Sequence, residues 1–165
     1  MISTQFLRDS PLFRDLDETE RAQVLVIGQV RNFPAEQVIF REGEAGDGLY
    51  IVIDGSVRIS KHTASGEEAL AVLEPNAFFG EMALVDFSPR AADAVANVPT
   101  ETFFIPLQDL RALIAANHGI ALKVLYALCE VLTQRLRDTN DRYMTVFTLA
   151  QWSAGSAQDN LFPIP

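Results

Sequence analysis

The chain has 165 residues, 48% of them apolar, and carries 22 Asp and Glu against 13 Lys and Arg, for a net charge of −9. That size and composition suit one domain with a buried core. The acidic balance argues against a free-standing nucleic-acid binder, which works through a basic face. A lone cysteine, Cys129, excludes an internal disulfide and reads as a small, buried or half-buried apolar residue of a helix.

In chain order, Met1 to Ser10 has no basic region followed by an apolar run, so no signal peptide is expected. Apolar runs such as Leu49 to Ile53 and Ala69 to Leu73 are too short to span a bilayer, and a soluble cytoplasmic protein is the expectation. Ser10 to Gln29 predicts a helical zone opening at Ser10-Pro11, with Asp17 and Glu20 spaced as a capping box.

Val30 to Ile105 predicts short strands at 37–40, 49–53, 56–60, 68–73, 93–98 and 102–105, separated by turn signals rich in Gly, Asp and Pro. Asp54-Gly55 reads as a tight hairpin. Strands this short and evenly spaced predict an α+β chain built on a jelly-roll β-barrel, with helices before it and a long helix after it.

From Leu107 the period changes. Leu125, Leu128, Leu132, Leu136, Thr139, Tyr143 and Val146 fall on one helical stripe, and no Gly or Pro interrupts Ile120 to Ala150. A helix that long outruns what a domain this small covers, so its later part is expected to pair with a second copy. The domain is bounded at residues 6–150. Residues 151–165, rich in Ser, Ala, Gly and Asn, are expected to form a mobile tail.

The segment Phe79-Gly80-Glu81-Met82-Ala83-Leu84-Val85-Asp86-Phe87-Ser88-Pro89-Arg90-Ala91-Ala92 holds the most chemistry. Phe79-Gly80 ends a strand, and Glu81 to Val85 has the composition of one helical turn, whose first N–H groups lack intrahelical partners and attract anions. Gly80 lets backbone come close to a ligand. Glu81 can accept from a sugar hydroxyl. Arg90 offers a planar fork matching phosphate oxygens, and the small Ala91 and Ala92 leave their N–H groups accessible. A structural ion pair between Glu81 and Arg90 is the plain alternative; the surrounding glycine, proline and small residues favour a ligand.

The segment resembles the phosphate-binding cassette of the cyclic nucleotide-binding domain family, which reads Phe-Gly-Glu, a small-residue turn, then Pro-Arg-Ala-Ala. The resemblance extends to Arg41 through Val57, with Gly43, Gly46 and Gly55 at turn positions, and covers residues 6–147. It implies that Glu81 accepts from the ribose 2′-hydroxyl and that Arg90 pairs with the cyclic phosphate, helped by the N–H groups of Ala83 and Ala91. Leu70, Ala71, Leu73 and Met82 would line the base pocket. In the bacterial transcription-activator branch the long helix closes over the base; matching the helices places Thr139 and Asn140 there, with Arg135 one turn earlier. Thr139 could equally be a polar seam residue that sets helix register. Tyr143 and Trp152 read as packing residues. Domains tuned to cGMP often carry Thr or Ser after the arginine, so Ala91 favours cAMP.

The activator branch continues into a winged helix-turn-helix, for which too few residues follow the helix here, and direct DNA reading is not expected. His62 and His118 lie in turns without metal-ligand spacing, and no Ser/His/Asp pattern, Walker loop or dinucleotide fingerprint occurs, so neither enzyme activity nor a metal is expected. The reading is a cyclic nucleotide sensor, expected to form a homodimer and to signal through its long helix to an unknown protein. Its rivals are an assembly module of the same fold without a ligand and a regulator whose partner reads DNA.

Overall fold

The computed structural model describes residues 3–64, 66–86 and 88–158. It divides into two compact units, Met1–Ala127 and Leu128–Pro165.

The helical zone expected over Ser10 to Gln29 holds one helix after a run of turns, and a further helix precedes it. α1 spans Thr4–Asp9 and stops at Ser10, whose backbone is extended (φ −79°, ψ 129°). Pro11 is the physical reason, because the residue before a proline is pushed out of helical geometry. Turns follow, with Ser10 O accepting from Phe13 N and Phe13 O from Leu16 N, at 3.1 and 3.2 Å. α2 spans Glu18–Ile27 and opens on the expected capping box: Asp17 Oδ1 accepts from Glu20 N (2.9 Å) and Glu20 Oε2 from Asp17 N (2.8 Å).

Two four-stranded antiparallel sheets form the jelly roll. The first has β1 (Gln29–Phe33), β3 (Gly48–Asp54), β6 (Phe78–Phe79) and β8 (Thr100–Pro106), in the order β1-β8-β3-β6. The second has β2 (Val38–Phe40), β4 (Val57–Thr63), β5 (Gly66–Leu73) and β7 (Asp93–Ala96), in the order β2-β7-β4-β5. β1 was not among the expected strands, since its polar sequence Gln-Val-Arg-Asn-Phe lies half exposed at a sheet edge. The Asp54-Gly55 turn is not a hairpin, because β3 and β4 belong to different sheets and share no ladder. Gly55, at φ +84°, instead passes the chain from one sheet to the other.

Side chains from both sheets meet in one aromatic cluster: Tyr50, Val52, Phe79 and Phe104 from the first, Phe40, Val57 and Ala94 from the second. Tyr50 is stacked on Phe79 (5.0 Å, 13°) and tilted against Phe104 (4.8 Å). The alternate residues of β3, Leu49 and Ile51, are also fully buried. Elements α2 and α4 (Leu107–Ala116) pack on the first sheet, which explains why the run 49–53 is continuously apolar rather than alternating.

α5 spans His118–Gln158. Asn117 starts it, its Oδ1 accepting from Gly119 N (3.0 Å) and Ile120 N (3.1 Å). The helix passes the expected boundary at 150: no proline occurs between Pro106 and Pro163, and Gly155 costs only about 1 kcal/mol in a helix. Residues 159–165 of the expected tail lie outside the described residues. Cys129 is exposed, contrary to expectation, because the buried stripe Val124, Ala127 and Leu128 leaves it facing away. No helix among the described residues is long and apolar enough to cross a membrane.

Candidate functional site

The expected central segment folds as one compact structure. β6 ends at Phe79, Gly80 adopts φ +79°, and after Glu81 comes α3 (Met82–Asp86). Past α3 the Asp86 carboxylate accepts from Ser88 N (3.0 Å). That backbone N–H, and then the Ser88 hydroxyl, hold the Asp86 carboxyl below its ordinary range. The segment then zips onto the turn after β2: Arg90 N donates to Glu44 O (2.8 Å) and Gly43 N to Arg90 O (2.9 Å). Asp93 secures the same turn by accepting from Glu42 N (2.6 Å), with His62 Nδ1 3.3 Å from its other oxygen.

Arg90 is the centre of the site, its side chain only 2% exposed. Nη1 donates to Gly80 O (3.0 Å); Nη2 donates to Gly48 O (2.8 Å) and to Asp47 Oδ1 (2.7 Å). The guanidinium lies 4.1 Å from the centre of the Phe40 ring, within cation–π range. A guanidinium has five N–H donors, so these bonds do not exhaust it. Nε is buried and has no hydrogen-bond partner among the described residues. Burying such a donor is unfavourable until an acceptor meets it. An anion presented to Nε would supply that acceptor.

Glu81 is buried immediately before α3, and Ala83 is buried within it. A Cβ at Gly80 would stand 2.4 Å from Arg90 Nη1 and 3.0 Å from Gly48 O, so the glycine leaves room for the arginine.

The other expected residues are more dispersed. Met82 and Ala91 are exposed and Ala92 is half-buried. On β5, Ala71 and Leu73 are half-buried, and Leu73 packs against the aromatic cluster. Leu70 is exposed at a bulge, where Ile59 pairs with Ala71 and Ser60 with Ala69. Arg135, Thr139 and Asn140 lie on α5 in the second unit, where Thr139 Oγ1 donates to Arg135 O (2.8 Å).

Several site residues escaped the sequence reading. Asp47 and Gly48 lie in a turn within the Arg41–Val57 resemblance but carry no expected contact there, although an acid between two glycines is the available signal. Phe40 falls at the end of the expected strand 37–40, and nothing local in the sequence distinguishes Arg31 or Arg111. Arg31 Nη1 donates to Tyr50 Oη (3.1 Å) and lies 3.7 Å from Asp47 Oδ2. Burial, then the nearby Asp47 charge, push the Tyr50 phenol above its ordinary value, against the opposing pull of Arg31 and Arg90. Arg111, on α4, donates through Nη2 to Ala83 O and to Leu84 O.

The profile of the cyclic nucleotide-binding domain matches residues 30–117. The cyclic AMP receptor protein of Thermus thermophilus is 36% identical over 135 residues, which cover 81% of this chain and 61% of that protein. A cyclic nucleotide-binding domain from Methylobacillus flagellatus superposes with a TM-score of 0.76 at 29% identity, covering 86% of this chain and 80% of that one. The regulatory domain of Toxoplasma gondii PKA, solved with cAMP, superposes with a TM-score of 0.63 at 32% identity, covering 67% of this chain and 42% of that one. The chain thus spans about three-fifths of the length of the Thermus relative. A profile match running from β1 through α4, over the same jelly roll, carries one conclusion: the chain belongs to the cyclic nucleotide-binding domain family.

Proposed function

We propose that this chain is a sensor that binds a cyclic nucleotide, cAMP in preference to cGMP, and signals through its C-terminal helix to a protein partner. The observation that carries the proposal is Arg90: buried, fixed by Gly80 O, Gly48 O and Asp47, and with an Nε–H that has no partner among the described residues. A cyclic phosphate satisfies that donor and brings a charge opposite to that of the guanidinium. Glu81 accepts from the ribose 2′-hydroxyl, and the N–H groups of Ala83 and Ala91 assist at the phosphate. Leu70, Ala71, Leu73 and Met82 form the wall for the base, and Arg135, Thr139 and Asn140 are its proposed contacts on the helix. The preference for cAMP rests on Ala91, which offers no hydroxyl after the arginine, and is supported by the cyclic AMP receptor among the relatives.

A ligand shifts a conformational equilibrium only through unequal affinity for its two states. In the proposed mechanism the bound nucleotide selects one arrangement of α5, and a homodimer joined through α5 is the signalling species. Calorimetric titration with cAMP and cGMP tests the proposal. Binding of cAMP, tighter than of cGMP, is the expected result, with a thermal stabilisation of about 2.7 kcal/mol at a hundredfold excess over Kd. No heat and no thermal shift at millimolar nucleotide overturns it and leaves the fold as an assembly module.

A further inference from the structure

We infer that Arg111 of α4 is a positioning residue for the nucleotide site, one that touches no ligand and acts by clasping α3 from its far end. This rests on the proposal that Glu81, Ala83 and Arg90 bind the ligand. α3 has only five residues, and a helix that short leaves its carbonyls without intrahelical partners. Arg111 Nη2 supplies donors to two of them, Ala83 O and Leu84 O, across 28 and 27 residues of sequence. The peptide that presents the Ala83 N–H is thus one residue from a carbonyl held by a cation. Glu81 lies two residues before Ala83, and Leu84 N donates to Glu81 O (2.9 Å), so the turn bearing the carboxylate is tied to the same point. Arg90 is fixed through Gly80, Gly48 and Asp47, none of which Arg111 touches. The Glu81 turn is therefore held at both ends, by Arg90 at the Gly80 carbonyl before it and by Arg111 at the Ala83 and Leu84 carbonyls after it.

The test is calorimetry with cAMP on the full chain carrying Arg111→Met or Arg111→Lys. Charge-assisted hydrogen bonds of this kind are worth about a ten- to hundredfold change in an equilibrium. Arg111→Met should weaken cAMP by about that factor. Arg111→Lys, which keeps a cationic donor, should recover part of it at equal thermal stability. In the unsubstituted chain, amide exchange in α3 and in the α4 turn around Arg111 should slow together when cAMP is added. Unchanged affinity in Arg111→Met overturns the inference. So does protection of α3 with no change in α4, a readout available even if the variants fail to fold. Failure of the unsubstituted chain to bind any nucleotide refutes the underlying proposal instead, and a binding parent with indifferent Arg111 variants refutes only this one.

Discussion

Gly80 and Arg90 are fitted to each other: a methyl group on the glycine would lie 2.4 Å from Arg90 Nη1, and Gly80 O is itself that nitrogen's acceptor (3.0 Å). Gly80→Ala therefore does two things. It places a side chain at φ +79°, which costs about 1–2 kcal/mol, and it forces the guanidinium from its place. The expected outcome is a lower melting temperature together with at least a tenfold loss of cAMP affinity. A variant that is destabilised but binds as before would show that Arg90 is not the phosphate contact.

Asp47 separates stability from binding. Its carboxylate is 55% exposed, so solvent screens its charge, while its partner Arg90 is buried and keeps Gly80 O and Gly48 O as acceptors when Asp47 changes. Asp47→Asn keeps an oxygen for Nη2 but removes a negative charge beside the proposed phosphate. Slightly lower stability with severalfold tighter nucleotide binding, more sensitive to salt, is expected from calorimetry at two ionic strengths. Affinity that falls along with stability would instead make Asp47 a scaffold for Arg90. The same geometry makes Arg90→Glu a poor probe, because it would bury a carboxylate among Gly80 O, Gly48 O and Asp47. Arg90→Lys keeps the charge, loses the fork, and should weaken binding more than tenfold in a folded protein.

How far the sequence could be read depends on the range of each interaction. The capping box of α2 and the start of α3 depend on residues three or four positions apart, and both were legible. The jelly roll was legible from strand spacing, but its pairing was not. Asp54-Gly55 has the composition of a hairpin, and only the partners of β3 and β4, far along the chain, decide that it crosses between sheets. In the site, Glu81 and Arg90 could be identified from their own segment. Asp47, Phe40 and Arg111 meet it from 43, 50 and 27 or more residues away, and no local pattern announces such contacts.

Tyr50 predicts an alkaline dependence. Its phenol is pushed above the ordinary value near 10, mainly by burial. In the window between the unfolded and folded values the unfolded chain has lost its proton while the native one keeps it. Stability is thus full below about pH 10 and falls as pH rises through that window. Tyr50→Phe abolishes this slope, at a neutral-pH cost of about 1 kcal/mol for the lost Arg31 bond. Urea midpoints from pH 8 to pH 11 should converge for the two proteins at the alkaline end. Parallel curves across that range would mean that Tyr50 binds its proton alike in the folded and the unfolded chain, with no upward push from burial.

The last prediction concerns α5. From Leu136 through Trp152 the helix is exposed along its whole length, including Leu136, Tyr143, Met144, Val146, Phe147 and Leu149, with Tyr143 stacked on Phe147 (6.3 Å, 16°). Helices in water draw most of their stability from packing of an apolar face, and a row of large apolar side chains left in solvent is unfavourable. Leu136 and Tyr143 are seven residues apart on the stripe, the spacing of a coiled-coil seam. A second copy is the proposed cover, because the stripe is self-complementary in a parallel pair. Leu136→Glu with Tyr143→Glu puts like charges across that seam, so light scattering should drop from a dimer to the 18.2 kDa of one chain while the jelly roll stays folded. An unsubstituted chain that runs at 18.2 kDa at every concentration, or a doubly substituted one that still dimerises, would remove α5 as the joint. Because a ligand that prefers one arrangement of a dimer also shifts the dimer equilibrium, the substituted chain should in addition show cAMP affinity independent of protein concentration.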